Sequence, residues 1–376
     1  MPEVPLPVRV AADLRQKIED GLYQTGQKLP SERDLADQAG VSRQVVRQAI
    51  ADLCRLGVLD CQPRCRPIVI TGASAKPIKR KRDAKIYLAV FPHVSDIIAS
   101  QLLKGVQQGL TDPDVDLAMS PVPVGRMSSG HESERQQLLS IASDPHASGL
   151  ILWYIGAERN IGALQVVRDA KIPMVFVDRE PPKGFDADYV GTDNHESARL
   201  AVQHLISLGH RRIAMLTNEE PVSSVEERES GYHAALTDAG IDIDPDLMIT
   251  VYLEGQSFEQ AVRSAIETAL ALPDSPTAIF AVNDQIALRT HSTLLEMGVA
   301  IPGQISVVGF DGWLRSIPGG GNLTSAAQQF ERIGHLAVKT LQERIHFGTP
   351  KSYRHVILEA PLLLKGSTGP VRAQQG

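Results

Sequence analysis

Two sets of polar residues carry the chemistry that this sequence advertises. Ser42, Arg43, Gln44 and Arg47 lie on a helical segment whose apolar positions, Val45, Val46, Ala49, Ile50 and Leu53, leave them facing outward. Arg suits the O6/N7 edge of guanine and Gln the N6/N7 edge of adenine, while Ser reaches phosphate or base. Further on, Arg64 and Arg66 sit in a basic turn and can neutralise phosphates or enter a narrow minor groove. The second set follows aliphatic runs: Asp178 after PMVFV, Asn283 after TAIFAV and Asp311 after SVVGF, with Arg228 opening a helix. Ligands of open α/β sheets bind at the carboxyl ends of the strands. Two carboxylates, an amide and a guanidinium fork suit vicinal hydroxyls, each of which both donates and accepts. Ser95 and Asp96, in the polar turn after Phe91, are candidates from another part of the same cleft. Trp313 and Trp153 both follow strands and can stack on the apolar face of a sugar, although Trp153 reads more simply as wall packing. Bland roles stand beside each of these: arginines solvating a helix, Asp178 and Asn283 tying down loops, Asp311 bridging Arg228.

Other chemistries leave no pattern. There is no nucleophile elbow, no phosphate loop and no metal-ligand spacing, and His195, His204 and His210 are not arranged to hold an ion, so neither an enzyme nor a cofactor is expected. Asp193-Asn194 reads as a helix cap. Cys54, Cys61 and Cys65 are few and odd in number, which favours free thiols in a reducing cytoplasm over a metal or redox site. The start, MPEVPLPVRV, has no signal-peptide pattern, and no run approaches the roughly eighteen apolar residues of a membrane span. A cytoplasmic protein without membrane contact is expected.

The elements that must position these residues divide the 376-residue chain unevenly. Residues 1–85 hold 16 Lys+Arg against 10 Asp+Glu, and the remainder 22 against 34, so the net charge of -6 hides a basic head on an acidic body. That asymmetry is expected when only one end meets a polyanion. Within 1–71 three helical patterns precede two short β runs, VLD and PIVI: Leu14 and Ile18 mark the first helix, Ser31 caps the second up to Gly40, and Ser42 caps the third. This predicts a winged helix-turn-helix. Residues 72–85, with Pro77 and the run Lys79-Arg80-Lys81-Arg82, read as a solvated basic linker. From 86 to 376 short aliphatic runs alternate with helical stretches, which implies βαβ units and parallel sheets. The length and a midpoint near 190 predict two doubly wound lobes rather than an eight-stranded barrel, since extra strands are offered near Asp188–Val190 and His355–Leu362. The fold class is therefore multidomain α/β, a winged helix-turn-helix followed by a two-lobed doubly wound domain.

The head string LPSERDLADQAGVSRQVVRQAIADLCRLGVL resembles the GntR-family winged helix over roughly residues 7–70. The body resembles the LacI-type, periplasmic-binding-protein-like effector domain over about 86–366, through VGTDNHESARLAVQHLISLGHRRIAML, the segment around Glu227-Arg228, PTAIFAVND and IPGQISVVGFD. Together they are similar to the arabinose-repressor architecture. The resemblance implies that Arg33 reads a base or the DNA backbone and that Ser224 lines the cleft. It implies a transcriptional repressor that binds double-stranded operator DNA as a homodimer, with a small-molecule effector, a sugar or sugar derivative, closing the lobes. A purine or other metabolite is the second choice, and a body that senses a protein partner the third; a transport binding protein would need an export signal and no head. Three departures bear on this: the wing turn has no glycine, Gly312-Trp313 stands where the LacI family often has a second Asp, and that family's own head and hinge helix are absent, so its hinge-helix coupling does not carry over.

Overall fold

The computed structural model describes residues 6–19, 22–24, 26–55, 58–61, 66–69, 84–90, 96–112, 115–119, 130–219, 222–253, 255–312, 323–348 and 352–371. Arg64, Ser95, Trp313 and residues 72–83 of the expected 72–85 linker lie outside them, and the side chain of Asp96 is not among those described. Ala84 and Lys85, expected in the linker, instead begin the first strand of the body, where Lys85 pairs in register with its neighbours.

In the head, α1 (Leu6–Glu19) buries Val10, Ala11, Leu14 and Ile18 on one stripe. Helix α2 (Glu32–Ala39) starts with a reciprocal cap, Asp34 N–H donating to Ser31 Oγ and Ser31 N–H to Asp34 Oδ2, both at 3.2 Å. It ends at Gly40, whose left-handed φ of 64° a side chain would disfavour. Helix α3 (Arg43–Arg55) inserts Val46, Ala49, Ile50 and Leu53 into the core made with α1 and α2. The wing is the antiparallel pair β1 (Leu59–Asp60) and β2 (Ile68–Val69), extended by a bridge from Lys28 to Ile68. Cys54 and Cys61, expected to be free thiols, are joined as a disulfide with their Cα atoms 5.9 Å apart. Val58 N–H donates to the Leu53 carbonyl at 3.0 Å, which sets β1 beside the end of α3 and brings the two sulfurs together, a proximity that residue spacing does not disclose.

The body alternates strand and helix as expected. Its first run comprises β3 (Ala84–Ala89), α4 (Asp96–Gly109), β4 (Val115–Met119), α5 (Gly130–Ser143), β5 (Ala147–Leu152), α6 (Ile161–Asp169), β6 (Met174–Val177) and β7 (Asp188–Thr192). The second comprises α7 (Asn194–Ser207), β8 (Ile213–Asn218), α8 (Ser223–Asp238), β9 (Met248–Val251), α9 (Phe258–Leu270), β10 (Ala278–Ala281), α10 (Asp284–Glu296), β11 (Ser306–Asp311) and β12 (Thr324–Ala327). Then α11 (Phe330–Phe347), β13 (His355–Leu358) and β14 (Leu362–Leu363) close the chain. Among the described residues there are two open sheets and no barrel. One is parallel, ordered β4-β3-β5-β6-β7-β13; the other is ordered β9-β8-β10-β11-β12-β14, with only β14 antiparallel.

The lobes are not sequential halves. After the first passage near 193 the chain returns at 328–329, so that α11 covers the first sheet and packs on α4, and β13 extends that sheet before β14 goes back to the second. A division at 190 alone therefore misplaces α11 and β13. Three crossings result, and they are laced together. Asp193 N–H donates to the Leu358 carbonyl at 2.9 Å, Ala327 N–H to the Pro361 carbonyl at 2.9 Å and Ala360 N–H to Ser197 Oγ at 3.2 Å.

Candidate functional site

The outward face of α3 carries the residues that the sequence predicts to be exposed. With Val46, Ala49 and Leu53 fully buried, α3 turns Ser42, Arg43, Gln44 and Arg47 to solvent, and Arg33 on α2 and Arg66 at the wing are exposed too. The fork of Arg47 is already engaged: Nη2 donates to Glu32 Oε2 at 2.8 Å and Nε to Glu32 Oε1 at 3.2 Å. That bond holds the Glu32 carboxyl below its usual range, and the pair fastens α2 to α3 at the surface. Glu32 was not singled out from the sequence. Ser42 Oγ lies 3.4 Å from Val45 N–H, a long N-terminal cap that leaves the hydroxyl exposed.

The second site forms where the two sheets' carboxyl ends face each other. Asp178 follows β6 in the first lobe, Asp311 ends β11 in the second, and Arg228 comes from α8; all are almost fully buried. Arg228 stands over the Phe310 ring, its guanidinium carbon 3.8 Å from the centroid. Its Nε donates to Asn194 Oδ1 at 2.9 Å and its Nη1 to the Val282 carbonyl at 2.8 Å, with Asp311 Oδ1 at 3.5 Å. The guanidinium is thus oriented by backbone, an amide and a ring, and Asp311 is a distant partner. The bridge between Arg228 and Asp311 that the sequence allowed is real but long. Arg228 Nη2 makes no hydrogen bond among the described residues.

Burial pushes the Asp311 carboxyl up to about 6. Arg228 and a hydrogen bond from Gln328 oppose that rise, and the Asp178 carboxylate adds to it. Burial also raises Asp178, against the pull of Arg228 and Arg179. Asp178 Oδ1 is buried without a hydrogen-bond partner, and the residue holds the left-handed φ of 64° that Asp tolerates better than most residues. Its backbone is fixed by Tyr189, whose hydroxyl donates to the Asp178 carbonyl at 3.0 Å. A buried carboxylate oxygen with no donor is what a ligand hydroxyl would satisfy.

Asn283 takes the capping role considered for it. Its Oδ1 accepts from Ile286 N–H at 2.9 Å, capping α10, while Nδ2 stays 3.4 Å from Asn218 Oδ1. Ser224 is buried on α8, one turn before Arg228. Trp153 is wall packing, stacked on Phe330 at 5.8 Å between centroids. Asp193 caps α7 by accepting from Glu196 N–H at 2.9 Å, but Asn194 is more than part of a cap: it holds Arg228 Nε and donates to Glu227 Oε2 at 3.0 Å.

Gln328 escaped the sequence reading altogether. It sits on the second crossing, accepts from Thr192 Oγ1 at 2.6 Å and donates through Nε2 to Asp311 Oδ1 at 2.9 Å. One side chain therefore ties the first crossing to the site. The lobes also meet where Glu180 N–H donates to Ser223 Oγ at 3.0 Å. No isolated position advertises such a residue; only the fold makes 192, 311 and 328 neighbours.

Comparison with known proteins agrees with this arrangement. Residues 6–66 match the bacterial regulatory proteins of the gntR family, and residues 202–368 match the periplasmic binding protein-like domain. The arabinose metabolism transcriptional repressor of Geobacillus stearothermophilus is 25% identical over 383 residues, covering 98% of this chain and 99% of that protein. The HTH-type transcriptional repressor PurR of Aliivibrio salmonicida is 28% identical over 218 residues, 58% of this chain; there the match spans 64% of the relative's length. The crystal structure of a LacI family transcriptional regulator from Enterococcus faecium with bound ribose is 25% identical, covers 77% of this chain and all of that one, and superposes with a TM-score of 0.64. The chain joins a GntR-type helix-turn-helix domain to a periplasmic-binding-protein-like domain of the LacI-regulator type, the composition of a DNA-binding transcriptional regulator.

Proposed function

We propose that this protein is a cytoplasmic repressor that binds a near-palindromic DNA operator as a homodimer and is released by a sugar or sugar derivative held between its lobes. The observation that carries the effector reading is the partnerless, buried Oδ1 of Asp178 facing a site that also holds Arg228 and Asp311. Carboxylates on both lobes and an oriented guanidinium accept and donate to adjacent hydroxyls, and the ribose-bound and arabinose-related relatives point the same way. Asn283 Nδ2 and Ser224 extend the polar wall; Ser95, Asp96 and Trp313 complete the proposed set. Binding that favours one lobe arrangement shifts operator affinity by the difference in ligand affinity between the two arrangements. The chain acts by binding rather than catalysis.

On the DNA side Arg43, Gln44 and Arg47 read base edges, and Arg33, Ser42, Arg64 and Arg66 serve the backbone and minor groove. The test is a duplex enriched from a random-sequence pool by the full chain, then titrated with pentoses, hexoses and purines. One sugar is expected to weaken binding at least tenfold, and Arg43→Ala is expected to broaden the enriched sequence. A duplex whose binding no sugar or purine alters overturns the effector reading, and an unchanged preference in Arg43→Ala removes that residue from base recognition.

A further inference from the structure

All three cysteines of the chain fall between residues 54 and 65, inside the head, and the body has none. Cys54 sits in the last turn of α3, partly buried against the head core. Cys61 follows β1 and is exposed. Their Cα atoms are 5.9 Å apart, within the span a disulfide needs. Three facts therefore coincide: one thiol anchored on the recognition helix, a second reachable from solvent at the base of the wing, and a separation that permits a bond without moving the backbone.

We propose that Cys54 and Cys61 form a thiol-oxidation site that sets the position of the wing against the recognition helix. Disulfides are unusual in reducing cytoplasm, and those that occur there in mesophiles are mostly transient or redox-sensing. The oxidant class is a small-molecule disulfide, for which diamide, which takes the same two electrons and two protons to become its hydrazine, stands in experimentally. With a disulfide RSSR, the Cys61 thiolate attacks one sulfur and expels RS⁻, giving a mixed disulfide. The Cys54 thiolate then attacks the Cys61 sulfur and expels the second RS⁻. One RSSR becomes two RSH, and the two protein thiols supply the two protons and two electrons.

The mechanical consequence falls on β1. Strand β2 is also held by residues 26–29, with Leu29 N–H donating to the Pro67 carbonyl and Val69 N–H to the Gln27 carbonyl, both at 2.9 Å. Among the described residues β1 pairs with β2 alone, over two residues, and so short a ladder is marginal in water. The covalent link clamps the strand leading to Arg64 and Arg66 onto the helix that carries Arg43 and Arg47. A wing fixed in advance loses less freedom on docking to DNA. The oxidised head therefore holds DNA more tightly than the reduced one. This last step rests on the DNA-binding role proposed above; the bridge itself does not.

The experiment treats the full chain with diamide or with dithiothreitol, alkylates it, and digests it with trypsin. Cleavage after Arg47, Arg55 and Arg64 places each cysteine in its own peptide. Diamide is expected to join peptides 48–55 and 56–64 and to leave only Cys65 alkylated. A bridge to Cys65, or three alkylated thiols after diamide, overturns the assignment. In the second arm, a duplex enriched from a random-sequence pool by the reduced chain is expected to bind the oxidised chain about three- to tenfold more tightly. Cys61→Ser abolishes that difference and Cys65→Ser preserves it. Equal affinity of oxidised and reduced chains overturns the wing-clamp role even where the bridge maps correctly. A chain that enriches no duplex fails the DNA-binding reading instead, and the peptide map still decides the bridge.

Discussion

Asp178 concentrates the cost of the proposed effector site in one side chain. It is buried, one carboxylate oxygen is bonded to nothing, and the Asp311 carboxylate stands near enough to be raised by it. Burial therefore disfavours the charged form. A group whose folded value lies above its unfolded one contributes most stability at low pH and loses it as pH rises through the folded value. Wild-type protein is accordingly expected to lose stability between about pH 4 and the raised range of this pair, and Asp178→Asn to remove part of that loss. Asn is a near isostere and accepts φ near 64° as readily as Asp. At pH 7.5 Asp178→Asn is expected to be more stable than the wild type by about 1 kcal/mol, a rise of roughly 2–4 °C in the melting temperature of the body, while effector binding weakens at least tenfold. Thermal scans at pH 5 and 7.5 check the sign: a variant that melts several degrees lower at pH 7.5 would mean that the pull of Arg228 on Asp178 outweighs its burial. Arg228 differs, because Asn194, the Val282 carbonyl and the Phe310 ring already orient it without a ligand.

At the scale of elements, the helices and strands were largely legible because local rules agree with one another. Ser31 with Asp34, Gly40 after Ala39 and the 3.6-residue stripe through Val46, Ala49 and Leu53 suffice for the helix-turn-helix. Aliphatic runs followed by Asp178, Asn283 and Asp311 mark strand ends, where the proposed site lies. What pattern could not give was partnership between distant segments: the Cys54–Cys61 bond, the grip of Asn194 on Arg228 and the return of α11 to the first lobe. That return depends on two glycines. A Cβ on Gly334 of α11 would lie 2.2 Å from the Leu102 carbonyl oxygen of α4, and one on Gly105 of α4 would lie 1.8 Å from the Glu331 carbonyl oxygen. The helices touch backbone to backbone, so α11 belongs to the first lobe although it follows the second in the chain. Gly334→Ala is expected to destabilise the body by about 1–3 kcal/mol through forced separation of α4 and α11. Gly162→Ala, in α6 with open space around it, is expected to gain about 0.5–1 kcal/mol. Urea unfolding of both variants separates a packing requirement from the general helix preference for Ala; equal effects would deny the close contact.

For the whole molecule, the charge division that splits a basic head from an acidic body corresponds to two folded parts, and the body in turn is two sheets joined by three laced crossings. Motion between the lobes has to pass through those crossings, and Gln328 is the side chain that links them to the effector site. It bonds Thr192 on the first crossing and Asp311 at the end of β11, and its own N–H donates to the Asp311 carbonyl at 3.0 Å. A ligand that draws on Asp311 would compete for the same carboxylate that fastens the crossing, and by that route the proposed effector would act on the lobes. Gln328→Met keeps the volume and removes both side-chain bonds, leaving Thr192 Oγ1 and Asp311 Oδ1 short of partners. Unfolding of the body is expected to become easier by about 1–3 kcal/mol, the penalty for buried polar groups left unpaired, with the head's unfolding unchanged. Amide exchange at Asp193, Ala327 and Ala360 is expected to quicken, since each donates from one crossing to another or to the helix beside it. If those three amides exchange as in the wild type while stability falls, Gln328 supports the local site only, and the coupling of effector to lobes has to run through the Glu180–Ser223 contact instead.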